Sequence, residues 1–199
     1  MSLTAEFKQT PSQTVGPYFA YGLSPAQYLY DFKSAFTPLV ASERADGEQI
    51  RLVGQVLDGA GNPVNDALIE VVQADAHGRY VQTAEDIERT GFAGTGRCGT
   101  GTDAENRFVF ETIKPGVAAP GDAPRIDVIL TMRGLLNHLF TRIYFDDEAA
   151  ANALDPVLQQ VPAERRHTLI ARREVSGGRV SYRFDIRMQG DEETVFLDI

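Results

Sequence analysis

Cysteine is almost missing from this chain. Cys98 is the only one in 199 residues, so no intrachain disulfide can form, and the composition suits a reducing cytosol. No apolar run approaches the roughly 20 residues a membrane helix needs. The opening residues Met1 to Lys8 have neither a basic stretch nor an apolar core. No secretory leader is therefore expected, and the chain is placed in the cytoplasm. Positive charge is also scarce: 19 Lys and Arg stand against 28 Asp and Glu, for a net charge of −9. That balance argues against nucleic acid and anionic membrane as partners. A small anionic ligand stays open, because Arg142, Arg165, Arg166, Arg172 and Arg173 could still gather into a local positive cluster.

Several catalytic signatures are absent as well. There is no Gly-x-x-x-x-Gly-Lys-Ser/Thr phosphate loop. Gly94-Thr95-Gly96-Arg97-Cys98-Gly99 comes near a dinucleotide fingerprint but reads as loop, with no helix after it. His77, His138 and His167 stand far apart in sequence, and no two have zinc-ligand spacing. A two-histidine, one-carboxylate iron site would have to be assembled by the tertiary fold. Nothing beside Cys98 activates it as a nucleophile, so it reads as a small buried residue.

What is present is a series of short strands divided by glycine and proline turns. Residues 10–19 hold two prolines and a glycine and read as an extended arm. Tyr18, Phe19 and Tyr21 imply that this arm docks on the chain's own body or on a partner. Residues 24–47 read as irregular, with one helical turn. Strands are expected at 50–57, 67–75, 107–112, 126–130, 140–145, 168–175 and 179–187. Residues 81–102 show little periodicity and read as a long loop. Asp155-Pro156 and Val161-Pro162 place proline where a helix start tolerates it. Val195 to Ile199 is too apolar to hang free. This pattern predicts an all-β fold: a β-sandwich with short helices and long loops, over 50–199, preceded by an arm and irregular segment at 1–49.

The segment 112–148 is the most informative. Ile126, Val128 and Leu130 alternate with Arg125, Asp127 and Ile129, the period of a half-buried strand. Arg125 and Asp127 thus share one face, either a solvent face or a pocket wall. Asp146 is placed to cap a short helix over 147–151.

Motifs along nearly the whole chain resemble the intradiol ring-cleaving dioxygenases. They are Thr10-Pro11-Ser12-Gln13-Thr14-x-Gly16-Pro17-Tyr18, Gly54-Gln55-Val56-x-Asp58-Gly59, Gln73-Ala74-Asp75-x-x-Gly78-x-Tyr80, Thr112-Ile113-Lys114-Pro115-Gly116, Arg142 to Ala149, and Tyr182 to Arg187 followed by Glu193 to Phe196. The opening arm and closing Thr-Val-Phe are similar to the family's α-type chains. Val72 departs from the tryptophan often found there, and Leu136 to Phe140 is less His-rich than expected.

The resemblance implies an αβ hetero-oligomer acting on a small aromatic acid with O2, with Fe(III) in a homologous β subunit and no cofactor in this chain. Catalytic chains of the family hold ferric iron with two tyrosinates and two histidines. Here the first tyrosine falls on Tyr80, the second on Ala118, and the histidine pair on Arg125 and Asp127. Alanine offers no donor, and arginine is a permanent cation that repels Fe(III). These are therefore vestigial ligand positions, with no catalytic or metal-binding residue in this chain. Tyr80 is expected to pack, and Arg125 and Asp127 to pair with each other or with a partner. The resemblance also brings Thr14, Gly16, Pro17 and Arg133 to the mouth of the β subunit's pocket as substrate contacts. Read without the resemblance, Arg133 is an ordinary loop arginine and the arm a packing strap. Two other functions stay open at this point: a stand-alone β-sandwich binding module, and a metalloenzyme with a rearranged site of its own.

Overall fold

The computed structural model describes residues 11, 13–16 and 18–198. Nine strands make up the body: β1 (Gln49–Leu57), β2 (Leu68–Gln73), β3 (Thr95–Gly99), β4 (Arg107–Ile113), β5 (Ile126–Thr131), β6 (Leu139–Phe145), β7 (Ile170–Ser176), β8 (Arg179–Arg183) and β9 (Ile186–Arg187). Four short helices lie outside them: α1 (Phe19–Leu23), α2 (Ala84–Thr90), α3 (Ala149–Asn152) and α4 (Pro156–Gln160).

The strands pair in the order β3-β2-β5-β6-β7-β8-β1-β4, with β9 added to β1. The link between β6 and β7 is a parallel contact of only two residue pairs, Tyr144 with Ile170 and Phe145 with Ala171. This weak seam divides the path into two four-stranded halves. Leu52, Val56 and Phe110 from one half share a single buried cluster with Val71, Val128 and Leu130 from the other. The halves therefore face each other as a β-sandwich. In β5 the burial alternates strictly, so Ile126, Val128 and Leu130 enter the core as their spacing predicts.

Close backbone approach fixes where glycine must stand. A side chain on Gly54 of β1 would lie 1.7 Å from the Phe184 carbonyl oxygen. There the last strand breaks between β8 and β9: the Phe184 N–H reaches the Val53 carbonyl, and the Gln55 N–H donates to the Asp185 carboxylate at 3.1 Å. Asp185 thus completes the ladder instead of facing outward.

Two expectations need correction. Residues 81–102 are not a plain loop, for they contain α2 and β3. The helix start was legible, since Thr83 and Asp86 form a reciprocal capping box and Gly91 closes the other end in the left-handed conformation. The strand was not, because Thr-Gly-Arg-Cys-Gly lacks β-propensity. Its glycines admit neighbours instead: a side chain on Gly96 would meet Val40, and one on Gly99 would meet Tyr28. Asp146 does not cap a helix either. It accepts the Arg173 N–H, and 146–148 forms a 3-10 turn before α3. The C-terminal segment is pinned, with the Leu197 N–H on the Phe140 carbonyl at 2.8 Å and the Thr141 hydroxyl on the Val195 carbonyl at 2.8 Å.

Asp155 caps α4 and is 0% exposed. Its carboxylate accepts from Val157 N–H, Leu158 N–H, Ala123 N–H and the Tyr144 hydroxyl, all within 3.0 Å. Burial works to raise its pKa, but these donors outweigh it and hold the carboxyl below its ordinary value. Burial pushes the Tyr144 phenol up, which keeps it a donor. Asp155→Ala should strand several buried donors and cost on the order of 3 kcal/mol, read by denaturant unfolding. Because the folded pKa lies below the unfolded one, the stabilisation is whole above about pH 4. It should fade as pH falls through the folded value, and the Ala variant should lack that acid-side loss.

Candidate functional site

Two constellations come together at different places. The first lies on the outer face of the β3-β2-β5-β6 half. Strand register lines up Thr95, Val72, Asp127 and Arg142 across it. Arg125 enters just ahead of β5. Its Nη1 donates to Asp122 at 2.6 Å, and its Nε lies 3.5 Å from Asp127 without a hydrogen-bond partner. Asp127 instead accepts from Arg142 Nε at 2.9 Å. The expected Arg125–Asp127 pair is thus the longer contact in a four-member network, and Asp122 and Arg142 hold the shorter bonds. The Arg125 side chain is only 13% exposed. Burial acts to lower its pKa, but Asp122 and Asp127 overcome that and raise it.

Tyr80 and Ala118 stand on two loops locked together. Gly116 N–H donates to the Asp75 carbonyl at 2.9 Å, and a side chain on Gly78 would lie 1.9 Å from the Val117 carbonyl oxygen. Tyr80 is close enough to add to the field that favours charged Arg125. It is not a fully packed residue: it is 38% exposed and lines a cleft of about 270 Å³ with Val72, Ile87 and Thr95.

The second constellation joins the arm to the turn after β5. Gly134 N–H donates to the Thr14 hydroxyl at 3.0 Å, and that hydroxyl lies 3.4 Å from the Met132 carbonyl. The arm therefore docks on the chain's own body at the Arg133-Gly134 turn. Arg133 is 56% exposed and ion-paired with Asp66. A side chain on Gly16 would meet nothing within 4 Å, so that stretch of arm faces open space. Pro17 lies outside the described residues. Beneath the arm, Gln13, Val15, Phe19, Met132, Leu135 and His138 line a second cleft of about 270 Å³.

The other chemistry-bearing residues do not converge. Among the described residues no three His, Cys, Asp or Glu side chains gather as a metal site. His77 meets Asp46, His167 meets Glu192, and His138 stacks edge-on against Phe140. Cys98 is buried, and that burial raises its thiol pKa, the reverse of an activated nucleophile. The five arginines raised as a possible anion cluster are largely spoken for. Arg142 bonds Asp127, Arg173 bonds Glu48, and Arg165 and Arg166 donate to backbone carbonyls. No described helix is long and apolar enough to cross a membrane.

The profile of a dioxygenase family matches residues 16–135, and the chain belongs to that family, among the intradiol ring-cleavage dioxygenases. The protocatechuate 3,4-dioxygenase alpha chain of Burkholderia cepacia is 62% identical to it, over 96% of this chain and 98% of that relative. The alpha chain of the same name from Pseudomonas putida is 45% identical over 96% of each. A protocatechuate 3,4-dioxygenase beta chain of Burkholderia cepacia is 37% identical over 74% of this chain and 67% of its own length. Among solved structures, the dioxygenase domain of a carbohydrate-binding fusion from Streptomyces sp. SirexAA-E superposes with a TM-score of 0.58 at 26% identity, covering 90% of this chain and 97% of that one. Catechol 1,2-dioxygenase from Pseudomonas arvilla C-1 gives 0.54 at 20% identity over 82% and 62%, a likeness of fold.

Removing Arg125 leaves Asp122 half-buried without its cation. Arg125→Ala should therefore destabilise the chain by roughly 2–3 kcal/mol, while Arg183→Ala, at an exposed pair with Asp185, should cost less than about 1 kcal/mol. Parallel urea titrations of the two variants check the contrast.

Proposed function

We propose that this chain is the iron-free α-type subunit of a protocatechuate 3,4-dioxygenase, working with a homologous β subunit that holds Fe(III). The observation that carries the reading is 62% identity to an alpha chain of that name over nearly the full length of both. The 50–199 sandwich is the dioxygenase-like domain and 1–49 the arm. A lone buried cysteine suits a cytoplasmic location.

The residues at the vestigial positions do not fit ferric iron. Ala118 has no donor atom. Arg125 is a guanidinium held charged by two aspartates, and Asp127 is already bound by Arg142. A trivalent cation would meet a fixed positive charge there, with Tyr80 alone of the four positions offering an oxygen suited to it. No catalytic step is assigned to this pocket.

The role of this chain lies instead at the arm and the Arg133 turn. A partly desolvated guanidinium can orient a substrate carboxylate through charge-assisted hydrogen bonds. Thr14 locks the arm to the turn that presents Arg133, and Gly16 leaves backbone open to a ligand. Asp66 competes for the same guanidinium, so a substrate carboxylate must displace or share that ion pair.

Iron analysis, reconstitution with a β chain and two variants test the reading. Purified alone, the chain should contain no stoichiometric iron and show no tyrosinate-to-iron absorption band, while coexpression with a β chain should give a coloured complex that consumes O2 with protocatechuate. Tight iron in the single chain overturns it. In that complex, Arg133→Ala should weaken apparent affinity for protocatechuate by roughly 5- to 150-fold, a loss of about 1–3 kcal/mol. Turnover of catechol, which lacks the carboxylate, should barely change. Equal effects on both substrates would remove Arg133 from the site, whereas iron content and assembly should persist throughout. Tyr80→Phe in the same complex should leave iron content and turnover unchanged.

A further inference from the structure

Residues 18–39 form an exposed ridge unlike the rest of the described surface. The stretch carries four of the seven tyrosines and three of the eleven phenylalanines, and Asp31 and Lys33 are its only charges. Tyr18, Leu29, Tyr30, Phe32, Phe36 and Leu39 all stand in solvent, with Leu29 96% and Phe32 72% exposed. Aromatic enrichment with depleted charge is the composition of an interface core. A contiguous apolar patch of this kind on a single chain marks a contact surface.

The ridge is built rather than loose. The Gln27 side-chain amide clamps β3 from both sides, donating to the Gly99 carbonyl at 2.7 Å and accepting the Gly99 N–H at 2.9 Å, and it also reaches Thr102. Arg97 donates to the Leu23 carbonyl and lies 5.0 Å from the centre of the Phe36 ring. Tyr21 packs edge-on against both Tyr18 and Tyr28. Leu29 follows the 3-10 turn Pro25–Tyr28 and is held at φ 63°, a left-handed conformation that an L side chain with no local hydrogen bond adopts at a cost. The fold thus spends clamps and strain to present an apolar side chain to solvent.

We propose that this ridge is the docking surface for the β-type partner chain, an inference that rests on the function proposed above. Two observations select that occupant. The ridge begins at Tyr18 and Phe19, directly beyond the arm that Thr14 ties to the Arg133 turn, and Phe19 also lines the cleft beneath the arm. A chain seated on the Tyr18–Phe19 end of the ridge therefore borders the arm and the cleft beneath it. A second copy of this chain would bring another net charge of −9 to an interface with almost no charge to offset it, and that repulsion disfavours self-pairing.

The test is quantitative binding of the full chain to the coexpressed β chain. Leu29→Asp with Phe32→Asp places two charges on the ridge, and aspartate tolerates the left-handed conformation at 29 better than leucine. Val175→Asp, an exposed apolar position on β7, is the control. The ridge variant should keep the thermal unfolding of the wild-type chain yet bind the β chain at least about 100-fold more weakly, with the control unchanged. Unaltered β-chain affinity in a folded ridge variant overturns the docking surface while leaving the proposed function standing. A wild-type chain that binds no β chain at all overturns both. If the ridge charges abolish self-association but not β binding, the surface belongs to a second copy and the inference also falls.

Discussion

One buried carboxylate holds three separate pieces of this fold in register. Asp155 receives a backbone N–H from the loop ahead of β5, a hydroxyl from Tyr144 on β6, and two N–H groups from the start of α4. A carboxylate has enough lone pairs to satisfy all four, and in a fully buried site each bond is stronger than at the surface. The loop it fixes leads directly into Arg125. The helix it caps sits beside the two-pair seam between β6 and β7, the weakest link in the strand path. The position of the charged network and the closure of the sandwich therefore draw on the same interaction.

The charged network on the outer sheet face is held by mutual pairing. Tight backbone contacts at Gly78 and Gly116 lock the loops of Tyr80 and Ala118 to each other, while Arg125 and Asp127 share a network with Asp122 and Arg142. The network is an alternating set of two guanidinium groups and two carboxylates, balanced in charge and mostly hydrogen-bonded. Such a set is stable only as a set. Removing one member leaves its neighbour buried and unpaired, which costs more than the pair contributed.

The arm and ridge are ordered by polar clamps at the chain's edge. Thr14 converts an irregular segment into a fixed wall by bonding the Gly134 N–H, and Gln27 does the same for the next segment by gripping β3. Each clamp uses a polar side chain to hold backbone, and beyond the second clamp Leu29 and Phe32 stand in solvent. A segment ordered in this way is suited to recognition because its conformational entropy is already lost before a partner arrives.

The sequence by itself determined the sandwich and most of its strands. Those properties are local: strand period is two residues, and glycine and proline punctuate turns. The strand Thr95–Gly99 escaped because its glycines are there for close packing by Val40 and Tyr28, and close packing has no sequence period. Asp122 and Arg142 as holders of the charged pair, Asp66 as the partner of Arg133, and Thr14 as the lock on the turn were decided by the tertiary structure alone. Each of those contacts depends on cross-strand register or on where a loop closes, and register is set by the whole sandwich folding as a unit.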